Sequence, residues 1–288
     1  MPETISSCLL CGERCLVRDD YAERMLHLHD VHGVSQCQCC GFRFLNPRPT
    51  AMEYQDVYSS GGGELSTFYP IDAQYYGGQE LVRLAQYRNK LDLLAKLGCS
   101  KGRLLEIGSC TGVFLNEARQ RGFDVVGIEP SRRNAEMAKH THGFELLVGN
   151  IEDFSFPQDN FDVVFSSHVF EHLLDPLRET KKIASWIRKG GFLMLEVPNQ
   201  LANPRVMRRR FFDKCQPMER SFLSIHHPVF FDKRTLKDLV RRAGFDVRVF
   251  QSVYHYAETT PRTPKMLISR FLDSIFGGLI VAVLATKS

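Results

Sequence analysis

The stretch GRLLEIGSCTGVFLNEARQRGFDVVGIEPS, residues 102–131, restricts the fold more than any other part of the chain. RLLEIG and FDVVGIE are short apolar runs of strand length, while VFLNEARQRG between them carries its apolar residues at helical spacing. A glycine-bounded turn, Gly108 to Gly112 (GSCTG), joins the first strand to the helix. This is a βαβ unit, so the fold class is α/β with a sheet covered by helices on both faces. Glu129 ends the second strand, 21 residues after Gly108, where an acid can accept both ribose hydroxyls of an adenosine cofactor. The spacing is E-x-G-x-x-x-G rather than the G-x-G-x-x-G that seats a pyrophosphate on a helix N-terminus, so no dinucleotide is implied.

Glu106-Ile-Gly108-Ser-Cys110-Thr-Gly112 resembles the first motif of class I S-adenosylmethionine-dependent methyltransferases, with Cys110 where family members often have glycine. Three later segments extend the resemblance in order. Gly149-Asn150-Ile151-Glu152-Asp153 resembles the motif whose polar side chain meets the adenine amino group, with Asn150 in place of the usual aspartate and Ile151 against the ring. Phe161 to Pro176 resembles the fourth strand and its loop, and Lys189 to Asn199 the fifth strand. The resemblance implies a Rossmann-like seven-stranded sheet with an antiparallel final hairpin. Within it, Glu106, Gly108, Cys110, Gly112, Glu129, Pro130, Asn150, Ile151, Ser167, His168 and Tyr76 are the expected cofactor-binding residues.

Six of the nine cysteines fall in the first 40 residues. Two pieces repeat one pattern, Cys8-Leu-Leu-Cys11-Gly12 and Cys37-Gln-Cys-Cys40-Gly41, and two C-x-x-C-G knuckles complete a site of four thiolates. Cys8, Cys11, Cys37 and Cys40 are the expected ligands of a structural zinc ion, because four thiolates leave no open position for substrate. Cys15, Cys39, His27, His29 and His32 are further potential ligands nearby, and disulfides are not expected in a reducing compartment. Residues 1–50 thus read as a small zinc-ribbon module, 51–80 as a linker and lid, and 81–288 as the methyltransferase domain, with 200–230 covering the acceptor site.

Methyl transfer to a protic acceptor calls for a base. His226-His227-Pro-Val-Phe230-Phe231, with Leu236 and Ala243-Gly-Phe245, resembles an element of sugar C-methyltransferases, which implies His227 as base and His226 in place of the family's glutamate. His172, in the Glu171-His172-Leu-Leu-Asp175-Pro turn, is the alternative. Arg205, Arg208, Arg209, Arg210 and Lys214 suit a diphosphate, and Tyr69, Tyr75 and Tyr76 a sulfonium cation. The zinc-binding start and the histidine element together resemble bacterial methyltransferases of sugar and polysaccharide biosynthesis, which implies a small-molecule acceptor such as a phosphorylated sugar.

The remaining alternatives are an RNA methyltransferase and a non-catalytic binder of the same cofactor. A net charge of +4 speaks against a nucleic-acid groove. The start lacks a secretory pattern and the longest apolar run, Gly277 to Ala285, is too short to span a bilayer, so a cytoplasmic protein is expected.

Overall fold

In the computed structural model, the described residues are 3–26, 32–50, 80–199, 201, 227–253 and 280–288. The N-terminal part contains β1 (Leu16–Arg18), α1 (Asp20–Leu26), β2 (Gly33–Cys37) and β3 (Arg43–Asn46). Then come α2 (Glu80–Lys96), β4 (Gly102–Ile107), α3 (Val113–Gln120), β5 (Phe123–Glu129), α4 (Arg132–His142) and β6 (Leu147–Val148). The chain continues through β7 (Phe161–Ser167), α5 (Pro176–Trp186), β8 (Ile187–Pro198), β9 (Val229–Phe230), α6 (Lys233–Arg242), β10 (Phe245–Val253) and β11 (Ile280–Lys287).

Seven strands form one sheet in the order β10-β11-β8-β7-β4-β5-β6. The pairs among β6, β5, β4, β7 and β8 are parallel, and β11 lies antiparallel between β8 and β10. Alternation along the strands builds a core on each face. Leu104, Val163, Phe165, Phe192 and Met194 pack with Leu91 and Leu94 of α2 and Phe114, Leu115 and Ala118 of α3. Their neighbours Leu105, Val164, Leu193 and Leu195 belong to the opposite core with Ile183 and Trp186 of α5 and Leu236, Leu239 and Val240 of α6. Helix starts follow their caps. Asp175 accepts from the Arg178 N–H ahead of Pro176, and Asp232 accepts from the N–H groups of Arg234 and Thr235.

The seven-stranded Rossmann-like architecture with its antiparallel final hairpin is therefore present. The module differs from expectation in two ways. First, its sheet runs β1-β2-β3-β9, so its last strand comes from residues 229–230. Cys8, Leu10, Cys37, Cys40, Phe42 and Phe44 share one core cluster with Phe170, Phe231 and the α6 leucines. Phe42 is fully buried and its ring lies 5.3 Å from that of Phe231, and burying one such side chain contributes about 1.5–3 kcal/mol. The boundary near residue 50 divides the chain without dividing the core. Second, Cys15 and Cys39 form a disulfide. The register of β1 on β2 sets Leu16 opposite Cys37, and the Gln38 N–H donates to the Cys15 carbonyl at 2.9 Å, which brings the two thiols together. No helix among the described residues is long and apolar enough to cross a membrane.

Candidate functional site

Strand β4 is flanked by β5 and β7, and the loops leaving these three strands lie at the carboxyl ends of the parallel strands, where the topology opens a crevice. The turn after β4 is closed from its neighbours: the N–H groups of Gly108 and Ser109 donate to the Ile128 carbonyl at 2.9 and 3.0 Å, and the Gly112 N–H to the Ser109 carbonyl at 2.8 Å. Gly108, Cys110 and Gly112 all have positive φ, of 77°, 48° and 77°. At Gly108 a Cβ would lie 2.4 Å from Val169 Cγ2, so only glycine lets this turn meet the loop after β7. Cys110 holds a left-handed conformation that glycine adopts without cost, which accounts for the glycine that resembling proteins often have there; nothing in the structure explains the cysteine.

Two buried carboxylates face this turn. Glu129 Oε2 accepts from the Cys110 N–H at 2.8 Å, and its Oε1 accepts from the Ser131 N–H and the Asn134 amide at 3.0 and 3.1 Å. Burial nevertheless raises its pKa. Glu106 is raised much further, first by burial and then by the charge of Glu129, and its Oε2 has no hydrogen-bond partner among the described residues. An unmatched buried carboxylate oxygen beside a second acid fits a cationic, hydroxyl-bearing ligand, so these residues suit S-adenosylmethionine. Pro130 and Asn150 are exposed at the strand ends, while Ile151 is buried at the start of a short 3-10 turn.

After β7, Ser167 donates to Glu196 Oε2 at 3.0 Å and the His168 N–H donates to the Glu196 carbonyl at 2.9 Å. His168 itself adopts φ 57° and its side chain remains 41% exposed at the crevice. Desolvation works against its charged form, but the Glu171 carboxylate, with Nδ1 3.4 Å from Oε1, outweighs it and the pKa is raised. Glu171 is 2% exposed, and its Oε1 also lies 3.9 Å from His172 Nε2. His172 in turn meets His227 edge-on, with ring centroids 4.6 Å apart. Thus two of the three expected catalytic histidines converge on one buried acid. His226, Tyr69, Tyr75, Tyr76 and the arginine-bearing segment 203–214 lie outside the described residues.

Residue spacing did not single out Glu171, Glu196, Lys90 or Tyr87. Lys90 Nζ of α2 lies 3.1 Å from Glu196 Oε1, with both side chains largely buried, and 5.4 Å from the centre of the Tyr87 ring. Burial first, and then the charge of Glu106, pushes the Tyr87 phenol upward. The one available signal was Glu196 itself, a lone acid inside the apolar run FLMLEVP.

At the other end of the chain, the sulfurs of Cys8, Cys11, Cys37 and Cys40 all lie within 4.8 Å of one another, with Cys8 to Cys40 and Cys11 to Cys37 each at 3.5 Å. Tetrahedral zinc–thiolate bonds place sulfurs about 3.8 Å apart, so the donor set fits zinc. Burial pushes the Cys8 thiol up to about 11 and Cys40 higher still. Burial also opposes ionisation of Cys37, but the N–H groups of Cys40 and Cys39 and the Cys11 thiol outweigh it and lower its pKa.

The family model for the methyltransferase domain matches residues 79–248. A ubiquinone biosynthesis O-methyltransferase of Cereibacter sphaeroides is 32% identical over 162 residues, 54% of this chain and 64% of that relative, so the match spans less than two thirds of the relative's length. An uncharacterized methyltransferase of Anoxybacillus flavithermus is 32% identical over 128 residues, 42% of this chain and 58% of that protein. Among solved structures, a SAM-dependent methyltransferase from Archaeoglobus fulgidus superposes with a TM-score of 0.54 at 19% identity, over 76% of this chain and 99% of that one. One from Thermotoga maritima gives 0.53 at 23% identity, over 77% and 100%. With its central sheet, its glycine turn and a family match across more than half its length, the chain belongs to the methyltransferase-domain family, with the class I S-adenosylmethionine-dependent fold.

Proposed function

We propose that the protein methylates a protic group of a small molecule, with His227 taking up the acceptor's proton and His172 beside it. The meeting of these two rings next to buried Glu171, at the same strand ends as the glycine turn, is the observation that carries this reading. Bound S-adenosylmethionine supplies a methyl group activated by its positively charged sulfur. In this reading Glu129 accepts from ribose hydroxyls, Asn150 meets the adenine amino group and Glu106 offsets positive charge. A neutral imidazole is the suitable proton acceptor near neutral pH. Cys8, Cys11, Cys37 and Cys40, whose sulfurs lie within 4.8 Å of one another, would hold zinc in a closed site that serves the fold.

For the acceptor we favour a nucleotide-linked sugar or glycan precursor, on the strength of the histidine element and the paired thiol knuckles. A phenolic acceptor is the second reading, favoured by the O-methyltransferase named among the relatives. The decisive experiment incubates full-length protein with methyl-labelled S-adenosylmethionine and two panels, nucleotide sugars and hydroxylated aromatics, and follows label and mass. Label on a nucleotide sugar supports the first reading, and label on an aromatic hydroxyl moves the assignment to the second. Ribonuclease-sensitive label in a cell extract would establish an RNA acceptor. Tight cofactor binding with no labelled product from either panel or the extract would overturn the enzymatic reading.

A further inference from the structure

Strand β9 joins two parts of the molecule that the sequence keeps far apart. In chain order Val229 and Phe230 belong to the methyltransferase region, yet they pair with Phe44 and Arg43 of β3. The Leu45 N–H also donates to the Pro228 carbonyl at 2.8 Å. Pro228 is the residue that directly follows His227. On the module side, β3 is tied to the thiol cluster, because the Cys37 N–H donates to the Phe42 carbonyl at 2.9 Å and the Gly41 N–H to the Cys37 carbonyl at 2.7 Å. A short path therefore runs from the thiol cluster along β3 and across one hydrogen bond to the backbone at His227.

A second grip lies close by. Leu45, Ala22 and Val34 of the module form one buried cluster with Phe230 and Leu201. Leu201 stands two residues beyond Asn199, which is buried where β8 ends. Leu45 thus bears on both of these points, by its backbone N–H at Pro228 and through the apolar cluster it shares with Leu201. Val229 and Phe231 pack into the core beneath the seven-stranded sheet, but among the described residues β9 takes its strand pairing from β3 and from no strand of that sheet. A two-residue strand does not hold its own position in water.

We infer that the cysteine-bearing module is a positioning element for the acceptor side of the site. It fixes the backbone at His227 and beside Asn199, while the turns after β4 and β5 serve the cofactor side independently. Leu45 is the chief positioning residue. The catalytic consequence rests on His227 as the proton acceptor; the mechanical claim does not, and it is tested without any acceptor.

The test uses the full chain in its metal-loaded form, with Leu45→Ala and the conservative Leu45→Met. Three quantities are measured: S-adenosylhomocysteine affinity by calorimetry, amide hydrogen exchange, and the His227 imidazole resonance. Leu45→Ala is expected to keep cofactor-product affinity within about twofold while exchange at residues 199–201 and 229–231 accelerates by about tenfold or more. The His227 resonance shifts, and Leu45→Met restores both signals. If Leu45→Ala does not fold, Val34→Ala in the same cluster is read in the same way. Chelator removal of the metal, with metal content measured, gives an independent arm and should accelerate exchange at 229–231. Faster exchange confined to residues 3–50 with an unmoved His227 resonance overturns the inference, as does an equal loss of S-adenosylhomocysteine affinity. Should the exchange behave as expected while His227→Ala retains full turnover, the positioning claim stands and the assignment of the base falls.

Discussion

The ring of His172 packs edge-on against that of His227, at 4.6 Å between centroids and 72° between planes, although the two arrive from different sheets. His172 follows β7 of the large sheet, whereas His227 precedes β9 of the small one. Their contact marks the seam between the cofactor-binding sheet and the cysteine-bearing module.

Replacing His227 by alanine should leave cofactor affinity unchanged and slow turnover by about a hundredfold, the lower range for loss of a general base. Single-turnover kinetics at saturating cofactor make the comparison. A rate equal to that of the parent protein would remove His227 from the chemistry.

The ordinary carboxylate value for Glu106 is 4.5, and its folded value lies well above, through burial and then repulsion from Glu129. Between those two values the folded state binds more protons than the unfolded one, so this group's contribution to stability falls as pH rises through the window. Glu106→Gln should remove that part of the slope in the cofactor-free protein. Denaturant unfolding of both proteins at several pH values gives the difference, and a difference independent of pH would refute the claim.

Gly108→Ala sets a Cβ 2.4 Å from Val169 Cγ2 at a backbone with φ of 77°, and should cost more than the roughly 1–2 kcal/mol of left-handed strain alone. Cys110→Gly relieves a side chain at φ 48° and should bind the cofactor within about twofold of the parent. Thermal unfolding and cofactor titration distinguish the pair, with Gly108→Ala losing on both counts.

Lys90→Met would leave the Glu196 carboxylate buried without its cation, with the Ser167 hydroxyl still donating to Oε2, and breaking such a pair costs about 3–5 kcal/mol. Adding Glu196→Gln should recover much of the loss. A double-mutant cycle in urea measures the coupling, and strict additivity would show that the pair is not coupled.

Much of this molecule was legible residue by residue. FDVVGIE coincides with β5, and VFLNEARQRG supplies the helix that follows the glycine turn, from Val113 to Gln120. The glycine turn and Glu129 were equally readable, since a strand, a left-handed turn and a helix start are set by neighbours within a few positions. The paired C-x-x-C-G knuckles announced a four-thiol cluster for the same reason, because each pair of sulfurs comes from one tight turn. The Cys15–Cys39 disulfide was not readable, as it depends on the register of β1 against β2.

Chain order and local spacing were thus enough to indicate the parallel βαβ unit, the glycine turn and the two thiol knuckles, because a strand, a turn or a C-x-x-C-G knuckle is each set within a few residues. Folding in three dimensions settled the rest. β9 has only two residues and no periodicity to announce it, so its pairing with β3 emerges only once Phe42 and Phe231 share a core. The Lys90–Glu196 pair and the contact of His172 with His227 are long-range in the same sense. Burial of the intervening apolar surface selects them, and no spacing along the chain encodes them.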